Sequence, residues 1–125
     1  MSQKANIQLK SNTPNPQFAN VEDVSPSEVR ELKASLKLID VRRPDEWTGE
    51  YGHIPGAELM TLDTLPMRLN ELNPEDTIIF ICRSGARSAQ AASFAKQNGF
   101  SSVFNMQGGM IAWTQANFET EDQNV

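Results

Sequence analysis

Five consecutive uncharged residues, Thr77-Ile78-Ile79-Phe80-Ile81, constrain the fold of this chain more than any other stretch. The run is β-branched and aromatic, so it reads as a strand, and it is apolar at odd and even positions alike. Such a strand must be covered on both faces, the setting of a parallel sheet between two layers of helix. Asn73-Pro74-Glu75-Asp76 breaks the chain before it. After it come Cys82, a short loop through Gly85, and a stretch from Arg87 to Asn98 carrying Ala89, Ala91, Ala92, Phe94 and Ala95. That stretch predicts a helix stopped by Gly99. The unit is therefore strand, tight loop, helix.

The rest of the chain repeats the alternation. Ser25-Pro26-Ser27-Glu28 has the form of a capping box with Pro at the first helical position, followed by Val29, Leu32 and Leu36 on one face. Leu38-Ile39-Asp40-Val41 predicts a short buried strand, and Ala57 to Met60 another. Leu65, Leu69 and Leu72 predict a second amphipathic helix. Ser102-Val103-Phe104-Asn105 predicts a last strand, and Gly108-Gly109 a turn into a final helix with Ile111, Ala112 and Trp113. The expected fold is α/β, one small domain with a central, mainly parallel sheet flanked by helices on both faces. Its expected extent is residues 20–118. Residues 1–19 read as a polar N-terminal arm or tail on the surface, and residues 119–125 as an acidic C-terminal tail that frays.

Composition excludes several functions. The formal net charge is −5, which disfavours nucleic acid and acidic membranes as partners. One Cys and one His rule out the usual zinc site by count, so no metal is expected, and an internal disulfide is impossible. No segment reads as a signal peptide or a membrane span, and a cytoplasmic location is the expectation.

In a sheet of this kind ligands bind beyond the carboxyl ends of the strands, where Cys82 sits. Loop N–H groups, the start of the following helix, and the charges of Arg83 and Arg87 all favour a thiolate there. The plain alternative is a Cys packed as a small hydrophobe, which by itself would be the usual case. His53, the one possible base for a Cys–His pair, is expected to serve a turn with Pro55-Gly56 instead. Asp40 is expected to be a structural acid, and Arg42 and Glu46 to form surface or half-buried pairs. Gly108-Gly109 is expected to make a tight turn rather than a phosphate loop. Trp113, Met60, Met67, Met106 and Met110 are expected to pack.

Three segments resemble the rhodanese family. They are Leu38-Ile39-Asp40-Val41-Arg42-Arg43-Pro44-Asp45-Glu46-Trp47 running on to Gly52-His53-Ile54-Pro55-Gly56-Ala57; Ile81-Cys82-Arg83-Ser84-Gly85-Ala86-Arg87-Ser88; and Val103 through Gly108-Gly109 to Trp113. The resemblance spans about Val21 to Trp113 and implies a sulfurtransferase. Cys82 would be the catalytic nucleophile, carrying a sulfane sulfur as a persulfide. Arg83, Ser84, Gly85, Ala86, Arg87 and Ser88 would bind the substrate, with Asp40 and Arg42 acting on the site through other groups. The donor would be a small anion such as thiosulfate, or a persulfide. The acceptor would be a thiol, cyanide or a protein, and no cofactor is implied. One departure is a stretch from Trp47 to Gly52 about two residues longer than the family's. Two other functions compete. Phosphatases and arsenate reductases use a related loop, but their Arg usually stands one position later, where this chain has Ser88. A non-enzymatic binding module would not need Cys82.

Overall fold

The computed structural model describes residues 7–121. The first six residues of the expected arm, and residues 122–125 of the expected acidic tail, lie outside the described residues. The strands are β1 (Thr13–Pro14), β2 (Glu22–Val24), β3 (Lys37–Asp40), β4 (Glu58–Leu59), β5 (Ile78–Ile81) and β6 (Val103–Met106). They form one sheet in the order β1-β2-β6-β5-β3-β4. Every pairing is parallel except that of β1, which adds to β2 as an antiparallel edge. The helices are α1 (Pro26–Leu32), α2 (Pro44–Trp47), α3 (Leu65–Arg68), α4 (Ala86–Gln97) and α5 (Gly109–Gln115).

Period-2 alternation of the strands builds two cores. Ile39, Val41, Ile78, Phe80, Cys82 and Val103 face one side, with Leu65 of α3 and Ala91, Ala92 and Ala95 of α4 packed against them. Leu38, Ile79, Ile81 and Met106 face the other, against Val29 of α1 and Met110 and Trp113 of α5. Alanines let α4 lie close to the sheet, so β5 is fully covered, as its sequence demanded. Trp113, Met60, Met106 and Met110 pack in these cores, while Met67 stands exposed, unlike the packing residue it was expected to be.

Several expectations change in detail. The second amphipathic helix is the short α3 followed by a 3-10 turn at Leu69–Glu71. Its three leucines still meet one core, because both kinds of turn carry that spacing inward. The capping box at Ser25 is half made. Ser25 Oγ accepts the Glu28 N–H at 3.1 Å. The Glu28 carboxylate turns away and accepts from Lys10 N, Ser11 N and Ser11 Oγ at 2.7, 2.9 and 2.6 Å. That grip fastens the described part of the arm, whose Leu9 is buried. At the other end, Trp113 Nε1 donates to Glu119 O, and His53 and Glu121 exchange two backbone hydrogen bonds, so the tail is tied down as far as Glu121.

Arg42 departs most from expectation. Its pair is neither at the surface nor half-buried but fully buried, 1% exposed, with Nε and Nη2 on the Asp40 carboxylate. Nη1 donates to Glu46 O at 3.2 Å and Nη2 to Gly52 O at 2.7 Å. The guanidinium therefore clamps both ends of the Trp47–Gly52 stretch. A buried charge needs a partner and filled donors, and this arrangement supplies them.

Candidate active site

Cys82 follows β5 directly, and α4 begins four residues later at Ala86. The loop between them closes because Gly85 adopts φ +108°, a left-handed conformation that costs a side-chain-bearing residue energy. This turn aims the Gly85 N–H at Cys82 Sγ, 3.1 Å away. The Ser88 hydroxyl, one turn into α4, lies 3.2 Å from the same sulfur. The first N–H groups of α4 have no partner within the helix, so the loop and helix start form a donor-rich cradle.

A second element closes the cradle from behind. The Met110 N–H donates to Cys82 O at 2.8 Å and the Ile111 N–H to Arg83 O at 3.0 Å. The start of α5 thus holds the cradle backbone. Gly109, φ +57°, makes this approach possible, since a Cβ there would fall onto the Cys82 and Arg83 backbone. The Gly108-Gly109 pair is the tight turn expected of it.

The sulfur itself is buried, Cys82 being 1% exposed. It belongs to the apolar cluster under α4, as simple packing would have it. Its hydrogen bonds to Gly85 and Ser88 are what packing alone does not supply. Ser88 and Gly85 are buried beside it, Arg87 is half-buried, and Arg83, Ser84 and Ala86 are exposed on the outer side of the loop.

The two arginines differ. Arg83 rests with its guanidinium carbon 5.6 Å from the centroid of the Tyr51 ring, in the Trp47–Gly52 stretch. Arg87 is engaged at both ends, Nη1 to Glu46 Oε1 at 2.7 Å and Nη2 to Glu46 Oε2 at 2.8 Å. Glu46 also accepts the Arg43 N–H at 3.0 Å, capping α2. The bidentate Arg87 contact pushes the Glu46 carboxyl down to about 2, against the opposing effect of burial. Arg87 is in turn held above its usual value, first by Glu46 against the cost of burial, with smaller contributions from Cys82 and Asp40. Glu46, expected in a surface or half-buried pair, forms a half-buried one, and its partner is a cradle residue.

His53 stacks on Trp47 with ring centroids 3.7 Å apart and donates from Nδ1 to Trp47 O at 3.0 Å. Its Nε2 lies 3.4 Å from Glu121 Oε1. These are the contacts of a turn residue. Asp40 touches the site only through Arg42 and its field at Arg87. Two residues next to the cradle were missed by sequence reasoning. Asn105 lies 2.5 Å from Ser88 Oγ, and Asp23 accepts from Asn105 at 2.9 Å. A polar residue inside the otherwise apolar Val103–Met106 strand was the one available signal. Among the described residues no three His, Cys, Asp or Glu are grouped to hold a metal, and no helix is long and apolar enough to cross a membrane.

The chain resembles known proteins in both sequence and fold. The chain is 38% identical over 78 residues to a sulfurtransferase of Allochromatium vinosum, covering 62% of this chain and 71% of that one. It is 33% identical over 84 residues to the thiosulfate sulfurtransferase GlpE of Pseudoalteromonas translucida, covering 67% and 78%. It spans only 42% and 26% of two longer relatives. The polysulfide-sulfur transferase homodimer of Wolinella succinogenes superposes with a TM-score of 0.73 at 28% identity, covering 84% of this chain and 81% of that one. The rhodanese-like domain model matches residues 25–116, from the cap of α1 to the end of α5, and the chain belongs to that family.

Proposed function

We propose that the protein is a sulfurtransferase in which Cys82 carries a sulfane sulfur as a persulfide. The observation that carries this reading is the cradle: a single thiol at a strand end, met by the Gly85 N–H and the Ser88 hydroxyl at the start of α4. A Cys82 thiolate attacks the outer sulfur of the donor, and the donor's remaining part departs with the bonding electrons. For thiosulfate that part is sulfite. An acceptor thiolate, cyanide or a protein thiol then takes the outer sulfur and Cys82 is restored. Ping-pong kinetics follow.

The supported donors are thiosulfate and persulfides, by similarity to relatives named for thiosulfate and polysulfide chemistry. Arg83, Ser84, Gly85, Ala86, Arg87 and Ser88 surround the donor's anionic end. Arg83 brings charge from the rim. Arg87 reaches the donor with its charge largely balanced by Glu46, so its place is more to hold the loop than to attract an anion. A cytoplasmic location suits a lone thiol that must stay free. Phosphatase chemistry is the poorer reading. Ser88 stands where that loop's Arg would be, with its hydroxyl turned to the sulfur rather than a guanidinium offered to phosphate oxygens.

Intact mass after incubation with thiosulfate, or with a small persulfide, tests the proposal. One added sulfur is expected, lost again with cyanide and absent from Cys82→Ser. Turnover of aryl phosphates by the unmodified protein with no detectable persulfide would overturn it.

A further inference from the structure

The hydroxyl of Ser88 is placed between two groups, and it has only one proton. Ser88 Oγ lies 3.2 Å from Cys82 Sγ and 2.5 Å from Asn105 Oδ1. Which of the two receives the O–H depends on what each can offer. Asn105 has its amide direction fixed, because Nδ2 donates to Asp23 Oδ1 at 2.9 Å, and that carboxylate oxygen also accepts from Asn15 Nδ2 at 2.9 Å. A carboxylate at Asp23 accepts only, so Nδ2 must face it and Oδ1 must face Ser88. Parallel pairing places Asp23 and Asn105 directly opposite one another in β2 and β6. Ser88, Asn105 and Asp23 are all at least nine-tenths buried, so water does not readily substitute for a missing partner.

We propose that Asn105, oriented by Asp23, is a positioning residue that directs the Ser88 proton and thereby sets how readily Cys82 carries negative charge. The proposal builds on the reading of Cys82 as the reacting thiol. With Cys82 as a thiol, Ser88 donates to Asn105 Oδ1 and its lone pair accepts the Cys82 S–H. When that S–H proton leaves to a base in solution, the sulfur can only accept. The Ser88 O–H then rotates onto Sγ, and Asn105 Oδ1 loses its donor. Ser88 keeps its proton throughout. A charge-assisted bond to sulfur is gained while a buried amide oxygen is left unpaired, and the second change opposes the first. Asn105 therefore holds the thiol form in reserve.

The other charged groups around the sulfur are Arg83 beside it in the loop and Arg87 on α4. Glu46 and Asp40 act upon Arg87, and Asp23 lies behind Asn105. None of these is substituted in the test, and Asp23, which loses one donor with Asn105, keeps the one from Asn15 in both backgrounds.

The lone cysteine makes the test direct. Ultraviolet absorbance of the thiolate, with Cys82→Ser as the blank, gives the thiolate-to-thiol ratio at one neutral pH in the full chain without any sulfur donor. Asn105→Ala should raise that ratio by ~5- to 10-fold, the size of one buried hydrogen bond removed from competition. In the Ser88→Ala background the same substitution should change it by less than about twofold. Ser88→Thr, which keeps a hydroxyl, should restore the response. A merely structural Asn105 would move the ratio equally in both backgrounds, and that outcome, or no rise with Ser88 present, overturns the proposal. Should Asn105→Ala fail to fold, Asn105→Leu, which keeps the branched outline of the side chain without an acceptor, should give the same result. Because no donor is used, absence of persulfide formation would count against the sulfurtransferase reading and leave this one standing.

Discussion

Glu46 shows how one side chain can serve two neighbours. It caps α2 through the Arg43 N–H and holds Arg87 with both oxygens. Its folded value of about 2 lies below the unfolded value near 4.5. A depressed carboxyl contributes stability above the unfolded value and loses it as pH falls through the folded one. Stability should therefore drop between about pH 4.5 and pH 2, by at most ~3 kcal/mol from this group. Urea unfolding of Glu46→Gln across that window should show a shallower slope than the parent, and equal slopes would mean the pair contributes nothing. Arg42 makes the opposite case, since its charge is buried with Asp40. Arg42→Ala leaves that carboxylate inside the protein without its cation and should cost roughly 3–5 kcal/mol in chemical unfolding. A loss near zero would require Asp40 to be hydrated in the variant.

The cradle is shaped by a neighbouring element as well as by its own residues. The start of α5 donates to Cys82 O and Arg83 O, and Gly109 permits the approach. Gly109→Ala must push α5 away or strain the loop. It should lower the rate of sulfur transfer at least ~10-fold, and the left-handed backbone alone costs upwards of ~1 kcal/mol. Unchanged turnover in a folded variant would show that α5 does not shape the site. The β5–loop–α4 unit was legible because every local signal agreed: an apolar run, a breaker before it, a glycine in the loop and alanines after it. β2 was not, because Glu22-Asp23-Val24 carries no apolar run, and Asp23 is buried where Asn15 and the sequence-distant Asn105 both donate to it. The four-residue α2 is too short for any periodicity to show. The full burial of Arg42, expected at most half-buried, was not legible either, since burial of a cation is decided by tertiary partners that spacing does not reveal.

Across the whole molecule, the sheet is extended at one edge by the arm, whose position rests on Glu28. Burial works against that carboxyl, yet the Ser11 hydroxyl and the Lys10 and Ser11 N–H groups hold it below its usual range. Glu28→Gln should loosen the arm at a cost of about 1–3 kcal/mol, seen as faster hydrogen exchange at Lys10 and Ser11 before the rest of the chain responds. Unaltered exchange there would assign the arm's position to Leu9 and β1 instead. The two cores give the site a further property. Ile78, Phe80 and Cys82 share the α4 side, while Ile79 and Ile81 share the α5 side. Adding or removing one residue within β5 would turn the sulfur over, out of reach of Ser88 and in among the neighbours of Trp113. Adding or removing two would leave it on its own side. A change in the length of β5 keeps the sulfur in its cradle only in even steps, so the reaction depends on the parity of a strand.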